Sequence, residues 1–260
     1  MRAEDTVGVR RGEVTNAATA AAGSRQPYLT SRPREVHSLA PWDPFSYVAG
    51  RLESLVHELG RPSTLPSGAR VLDYGCATQP YRGLFGPGIE YVGADIAGNP
   101  LAQVELSEEG DVPLPDSSFD MVLSTQVLEH VVEPARYLSE CRRLLKPGGS
   151  LVLTTHGIMY YHPDPEDYWR WTSAGLAKVV KDAGLHVAEM RGVMGLASAA
   201  LQLLQWATLG HVPRRARRPY TIVMQRLIAA SDRRHSDESR LHNALVLGVC
   251  AVRPADEVQP

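Results

Sequence analysis

The chain has 260 residues, a formal net charge of −2 and 43% hydrophobic residues. That length allows one large domain, or one with a small appendage, and the apolar fraction is enough for a packed core. The near-zero charge excludes a global attraction to nucleic acid. Three scattered cysteines, Cys76, Cys141 and Cys250, exclude a disulfide framework or a zinc spacing and make a reducing, cytoplasmic setting the default expectation.

Residues 1–26 are polar and Ala/Gly/Thr-rich without a period, and predict a disordered tail. Arg2, Glu4 and Asp5 are followed by no apolar run, so no secretory leader is expected. Residues 27–66 form a cap segment, irregular to Pro44 and then helical. Phe45, Val48, Leu52, Leu55, Val56 and Leu59 share one helical face, and Gly60 with Pro62 ends it. Residues 67–260 form the main domain. Short apolar strands are predicted at Arg70–Tyr74, Tyr91–Asp95, Phe119–Ser124 and Ser150–Thr155. A helix opened by Pro134 buries Ala135, Leu138, Cys141 and Leu145 and stops at the KPGG of 146–149. Thr172 caps a helix that buries Leu176, Val179, Val180 and Ala183 and closes at Gly184. Further strands fall at 185–190 and 244–253. Strands alternating with helices imply an α/β fold with a largely parallel sheet covered on both faces.

Gly192 to Gly210 carries no charge, and RRARR follows at 214–218. Ser198, Gln202, Gln205 and Thr208 interrupt the apolar run, so no membrane span is expected. The segment reads instead as a buried helix or the face of a homodimer. RRARR lacks interleaved aromatics and predicts a solvated loop or a contact with an acidic acceptor, with no nucleic-acid partner.

The first strand runs into Asp73-Tyr-Gly75-Cys-Ala77-Thr-Gln79, where a dinucleotide loop would hold three glycines. In such a sheet, ligands sit outside the carboxyl ends of the strands. Gly75 permits close backbone approach, and Ala77 is nearly as small. A strand-end carboxylate at Asp73 repels a pyrophosphate but suits an ammonium or hydroxyls. Asp95, 22 residues further on, stands where an acid grips ribose hydroxyls. The loop therefore fits a nucleoside with a cationic, non-phosphorylated tail.

The stretches VLDYGCATQPY, YVGADI, VPLPDSSFDMVLSTQVLEHV and LLKPGGSLVLTT, in this order, resemble the successive motifs of class I S-adenosylmethionine-dependent methyltransferases over about residues 68–190. The resemblance implies a Rossmann-like methyltransferase fold: a mostly parallel seven-stranded sheet, helices on both faces and an antiparallel C-terminal strand. It implies S-adenosyl-L-methionine as cofactor, with S-adenosyl-L-homocysteine as product. Asp73, Gly75 and Ala77 match positions lining the methionine part, Asp95 the ribose acid and Ile96 the residue against adenine. Glu108 lies near an acid that contacts the adenine amino group, and Thr125 and Gln126 end the fourth strand beside the cofactor. Ala77, Gln79 and Pro80 replace commoner glycines, so the loop is expected to be stiff and its following helix short.

Methyl transfer needs an oriented acceptor and, for a hydroxyl or ammonium, a proton acceptor. His130 follows the fourth strand and His156 ends the fifth, so both are candidate bases, with His156 favoured. Tyr160–Thr172 crowds His162, Asp164, Glu166, Asp167, Tyr168, Trp169 and Arg170 into one proline-stiffened loop. His162, Asp167, Tyr168, Trp169 and Arg170 are its candidate acceptor-binding residues, and acceptor-binding insertions are expected at about 157–172 and 192–240. Some quinone O-methyltransferases hold a divalent ion with Glu-x-x-Glu-His here. Gln126 stands at the first of those positions, an amide is a poorer magnesium ligand than a carboxylate, and no metal is expected. The expected activity is O-, N- or C-methylation of a small-molecule acceptor, in bacterial specialised metabolism or sugar and polysaccharide biosynthesis. A non-catalytic nucleoside-binding module is the alternative. A nicotinamide-dependent oxidoreductase stands further off, because the loop glycines are missing.

Overall fold

The computed structural model describes residues 39–163 and 166–255. The predicted tail at 1–26, the first part of the cap segment and Asp164 lie outside the described residues. Helix α1 spans Ser46–Gly60 and buries Val48, Leu55, Val56 and Leu59, the predicted stripe. Its left-handed cap falls on Arg61 (φ 42°), one residue past the predicted Gly60, and Pro62 then prevents continuation.

Seven strands follow: β1 Arg70–Tyr74, β2 Glu90–Asp95, β3 Val104–Glu105, β4 Phe119–Thr125, β5 Leu145–His156, β6 His186–Val193 and β7 Val246–Val252. They form one sheet in the order β3-β2-β1-β4-β5-β7-β6. The β1–β2, β1–β4, β2–β3 and β4–β5 pairs are parallel, and β7 runs antiparallel between β5 and β6. The strand order reverses at β1, whose neighbours are β2 and β4. The crevice outside the carboxyl ends of β1 and β4 is therefore where this sheet can take a ligand.

Alternate strand residues serve two cores. Leu72, Val122, Leu151 and Leu153 pack with Leu138, Cys141 and Leu144 of α2 (Pro134–Leu144) and Leu176 and Val180 of α3 (Ser173–Asp182). Val71, Met121, Leu123 and Val152 face the other side. There they meet α1, Ala199 of α4 (Leu196–Leu209) and Ile228 of α5 (Arg214–Asp232). Period-2 alternation along parallel strands with both faces covered explains why each strand reads as a continuous apolar run. The Thr172 hydroxyl accepts the Gly175 N–H, as an N-cap should. The last helix, α6, is Asp237–His242.

The crossovers from β1 to β2 and from β2 to β3 contain no α-helix. Only a single 3-10 turn at Arg82–Leu84 stands where a short helix was expected after the first loop. Gly83, Gly86, Pro87 and Gly88 leave no run able to nucleate one. In the β4–β5 crossover, α2 ends at Leu144. The KPGG stretch then enters β5 through a register shift opposite Phe119 and Met121, with Gly148 at φ 80°.

Candidate functional site

The loop after β1 closes tightly. Gly75 has φ 81°, and a Cβ there would stand 2.5 Å from the Val127 methyl, so no side chain fits. Ala77 (φ 44°) and Gln79 (φ 53°) are also left-handed without being glycine, a conformation costing on the order of 1 kcal/mol each. Side-chain hydrogen bonds hold them there. Asp95 Oδ2 accepts the Ala77 N–H at 2.7 Å and an Asn99 Nδ2–H at 2.7 Å, and Asn99 also donates to the Ala77 carbonyl at 2.9 Å. Gln79 donates to the Leu101 carbonyl at 2.7 Å, and Gln103 Oε1 accepts the Gly93 N–H at 2.6 Å. Amide side chains thus do what loop glycines would otherwise do.

Asp73 is buried at the end of β1. One carboxylate oxygen accepts the Tyr91 hydroxyl at 2.6 Å, and the other, Oδ1, has no partner among the described residues. Burial pushes this carboxyl up to about 7. The Tyr91 hydrogen bond opposes the rise, and the nearby Asp95 charge adds to it. A buried acceptor without a donor is costly alone and suits a cationic donor. Asp95 Oδ1 accepts the Ile96 N–H at 2.8 Å, while Oδ2 carries the two amide donors and a weak contact from the Cys76 thiol at 3.9 Å, so the direction left over lies on Oδ1. Ile96 beside it is 48% exposed, an apolar surface left open next to a polar strand end. Glu108 is exposed in the turn after β3, which pairs with the end of β2 and so shares its rim. Thr125 ends β4. Gln126, at φ 56°, donates from Nε2 to Thr154 Oγ1 at 3.1 Å and from its backbone N–H to the Thr154 carbonyl at 2.9 Å.

Three histidines meet on the rim of β4 and β5. The ring centroids of His130, His156 and His162 lie 6.1 to 6.3 Å apart in all three pairings. His156 is buried, and its Nε2 stands 3.1 Å from Glu129 Oε1, off the line of a hydrogen bond. Burial drives the imidazole down to about 3, and the charge of Arg170 acts in the same direction. Glu129 is fully buried. Burial raises its carboxyl to about 7, although its own backbone amide and the Thr155 hydroxyl, 2.8 Å from Oε2, pull it down. The favoured base of the sequence reading therefore lies inside the protein as a neutral ring. His130 differs. Its Nδ1 contacts the Glu166 carbonyl, and a carbonyl can only accept, so Nδ1 carries the proton. Nε2 is the ring nitrogen left without a hydrogen-bond partner among the described residues.

The loop that follows β5 is tied back to this rim. The Tyr168 and Trp169 N–H groups donate to the Glu129 carbonyl at 2.8 and 3.3 Å, and the Trp171 N–H to the His156 carbonyl at 3.0 Å. Arg170 forks onto both Asp167 oxygens at 2.5 and 2.6 Å and also donates to the Met159 carbonyl at 2.9 Å. The His162 N–H donates to Asp167 at 2.6 Å. Against the upward push of burial, the Arg170 and His162 hydrogen bonds hold Asp167 at about 2. Asp167 and Arg170 thus bind the loop to itself. Tyr168 and Trp169 remain exposed, with Trp169 Nε1 on the Val131 carbonyl at 2.7 Å. Among the described residues, no group of three or more His, Cys, Asp or Glu side chains could hold a metal ion.

Sequence reasoning missed Tyr91, Asn99, Gln103 and Glu129. In the β1–β2 register Tyr91 pairs with Val71 and Asp73 with Gly93, so the Tyr91 hydroxyl reaches the carboxylate along the shared strand face, two residues on. Glu129 was legible only as a neighbour of His130, because its pairing with His156 depends on the β4–β5 register.

Residues 45–189 match the family model described as a methyltransferase domain. The chain is 35% identical over 123 residues to the ubiquinone biosynthesis O-methyltransferase of Cereibacter sphaeroides (strain ATCC 17025 / ATH 2.4.3), covering 40% of this chain and 49% of that one. It is 30% identical over 174 residues to the protein of the same name from Dinoroseobacter shibae, covering 53% of this chain and 69% of that one. The chain thus spans about half the length of the first relative. Among solved structures, the [4+2]-cyclase SpnF superposes with a TM-score of 0.52 at 20% identity, over 84% of this chain and 85% of that one. A Haemonchus contortus phosphoethanolamine N-methyltransferase 2 in complex with S-adenosyl-L-methionine gives 0.50 at 17%, over 79% and 52%. These two likenesses show the fold, while the family match and the sequence relatives show the family. The chain belongs to the class I S-adenosylmethionine-dependent methyltransferases.

Proposed function

We propose that the chain methylates a small-molecule acceptor bearing an ionisable O–H or N–H, held at the β4–β5 rim against Tyr160, Tyr168 and Trp169. When bound, S-adenosylmethionine supplies an electrophilic methyl group on a sulfonium. In this reading Asp73 Oδ1 takes the ammonium of the cofactor. Asp95 uses its remaining lone pair on a ribose hydroxyl, Ile96 lies on adenine, and Glu108 stands at the adenine edge. His130 removes the acceptor proton through Nε2. His156 and Glu129 shape the floor beneath it, which moves the base assignment from the strand end to the turn that follows β4. The names of the two relatives support oxygen as the accepting atom.

The observation that carries this proposal is the His130 ring, oriented by Nδ1 on the Glu166 carbonyl so that Nε2 has no partner among the described residues. The test pairs a melting-temperature screen with a methyl-transfer assay over phenolic, sugar and amine acceptors. Both cofactor forms should raise the melting temperature and NAD should not, since a ligand of the folded state stabilises by mass action. His130→Ala should keep that shift and lose turnover. A shift with NAD alone, or full turnover in His130→Ala, would overturn the corresponding half of the reading.

A further inference from the structure

Helices α4 and α5 bury several polar residues beside their inward apolar ones and leave large apolar residues exposed on their outer faces. α4 contains no charged residue, yet it buries Ser198, Gln202 and Gln205. Leu201 and Leu203 pack on the core, while Leu196 at 53% and Leu204 at 52% exposure face outward beside exposed Ala197, Ala200 and Ala207. The buried polar groups bond to one another, to α1 and to the Pro44 carbonyl before it, and Gln205 Nε2 is left without a partner among the described residues. Gln225 of α5 donates to Gln205 Oε1 at 2.6 Å and to Gln202 Oε1 at 3.2 Å, and its own oxygen accepts the Tyr47 N–H at 2.9 Å. Ser198 donates to Asp232 at 3.1 Å. Ordinary amphipathic helices do the reverse, since a leucine out of water stabilises and an exposed glutamine costs nothing. An amide lattice therefore fixes the hairpin to the core while its apolar stripe points away.

The outer face of α5 continues that stripe with Val223 at 55% and Leu227 at 50% exposure. It adds exposed Arg214, Arg215, Arg218 and Arg226, and Arg233 and Arg234 follow the helix. The one acid of α5, Asp232, is buried against Tyr47 and Arg240. Among the described residues, no ion pair joins any of these six arginines to a carboxylate. Arg218 lies over the Trp42 ring at 5.2 Å, and Trp42 is itself exposed. Apolar side chains interleaved with unpaired cations and an interfacial indole are complementary to one kind of surface, lipid tails beneath anionic headgroups. Nucleic acid would match the charge and leave the leucines in water. A second copy of the same face would set arginines against arginines.

We propose that the outer face of the α4–α5 hairpin docks this protein on an anionic lipid bilayer. This is peripheral docking, since no helix among the described residues is long and apolar enough to cross a membrane. Trp206 of α4 packs on Tyr160 at 4.9 Å, so a docked hairpin lies directly beside the loop that follows β5. The proposal stands apart from the identity of the acceptor.

The test is flotation of the full chain with phosphatidylcholine vesicles, with and without phosphatidylglycerol, over a salt series. Binding is expected only with the anionic lipid and should weaken as salt rises. The triple variant R215E/R218E/R226E should abolish it. L204S/L227S should weaken it about tenfold, the loss expected from withdrawing two apolar anchors. Both variants should keep the wild-type melting temperature and cofactor shift. Should either unfold, quenching of wild-type tryptophan fluorescence by brominated lipid tails decides in its place, because Trp42 would sit at the headgroup level. Four results would each overturn the proposal: no flotation with the anionic lipid, binding that survives charge reversal, no quenching, or self-association that removes vesicle binding. Equal binding to RNA that is indifferent to the leucine changes would assign the face to nucleic acid.

Discussion

Asp73→Asn separates what this residue does for the fold from what it does for the ligand. Between the ordinary carboxyl value of 3.8 and about 7, the folded protein holds a proton that the unfolded chain has lost. Such a raised group makes the ligand-free fold less stable as pH rises through that window. The loss reaches up to about 4 kcal/mol above pH 7, from roughly three pKa units at 1.36 kcal/mol each. Asparagine fills the same space and can still accept from Tyr91, but it carries no such pH dependence. The stability of the variant relative to wild type should therefore improve from about pH 4 to about pH 8. In melting temperature the gap opens by several degrees, at roughly 2–4 °C per kcal/mol for a domain of this size. Cofactor binding should move the other way. Losing a charge-assisted hydrogen bond costs about 1.5–3 kcal/mol, or roughly 10- to 150-fold in Kd. Melting curves across pH and titration calorimetry near pH 8 measure both. A gap that stays constant with pH would refute the buried-charge argument, and an unchanged Kd would remove Asp73 from the cofactor site.

Asn99→Ala should weaken S-adenosylmethionine binding and cost about 1–3 kcal/mol of stability, because Asp95 Oδ2 and the Ala77 carbonyl both lose a buried donor; denaturant titration and calorimetry report the two losses. Gly75→Ala should destabilise by at least about 1–2 kcal/mol from its left-handed backbone alone. Adding Val127→Ala should recover only the part due to the clash, which a double-mutant cycle isolates. His130→Ala should lower turnover about 10²- to 10⁴-fold with cofactor affinity unchanged, the range for a general base. His156→Ala should instead lower the melting temperature, since it leaves Glu129 buried without its neighbour. A large loss of turnover in a fully stable His156→Ala protein would return the base to the strand end.

Six of the seven strand positions, α1 and α3 were legible because each carries its own apolar pattern and a local stop or cap, whereas the two-residue β3 is too short to show one. The loop geometry was legible only in part. Asp73, Gly75 and Asp95 stand out by type and spacing, but the residues that hold Ala77 and Gln79 left-handed come from 20 or more positions downstream, at Asn99, Leu101 and Gln103. No local signal marks an Asn as a partner of a loop on a neighbouring strand. The acceptor loop shows the same limit. Asp167 and Arg170 are conspicuous as an acid and a base in an aromatic stretch, and that suggested ligand contacts. Their three-residue spacing also permits the fork they form with each other, so the charges close within the loop. The depth of His156 was hidden for a related reason: its position at a strand end says nothing of how deep the end lies, and β5 is covered there by Glu129 and the 166–172 backbone.

The polar groups of the rim fall into two sets by whether their hydrogen bonds are already used. Asp95, Asp167, Arg170, Gln126 and Asn99 are tied to backbone or to one another, and they fix positions. Asp73 Oδ1 is not, nor are the buried Glu129 Oε1 and His156 Nδ1 or, among the described residues, His130 Nε2; Asp73 stands near the end of β1 and His130 in the turn after β4, the adjacent parallel strands at which the sheet order reverses. Rigid neighbours around unsatisfied groups are what a site needs when its ligand, rather than the protein, is to complete the network. Of these groups, Asp73 is an anion-forming acceptor suited to an ammonium, and His130 offers a ring nitrogen toward an acidic hydrogen. A methyl donor with a cationic amino acid tail and an acceptor with an acidic hydrogen answer these two demands separately. On this division, removing either group should disable one partner and leave the binding of the other intact.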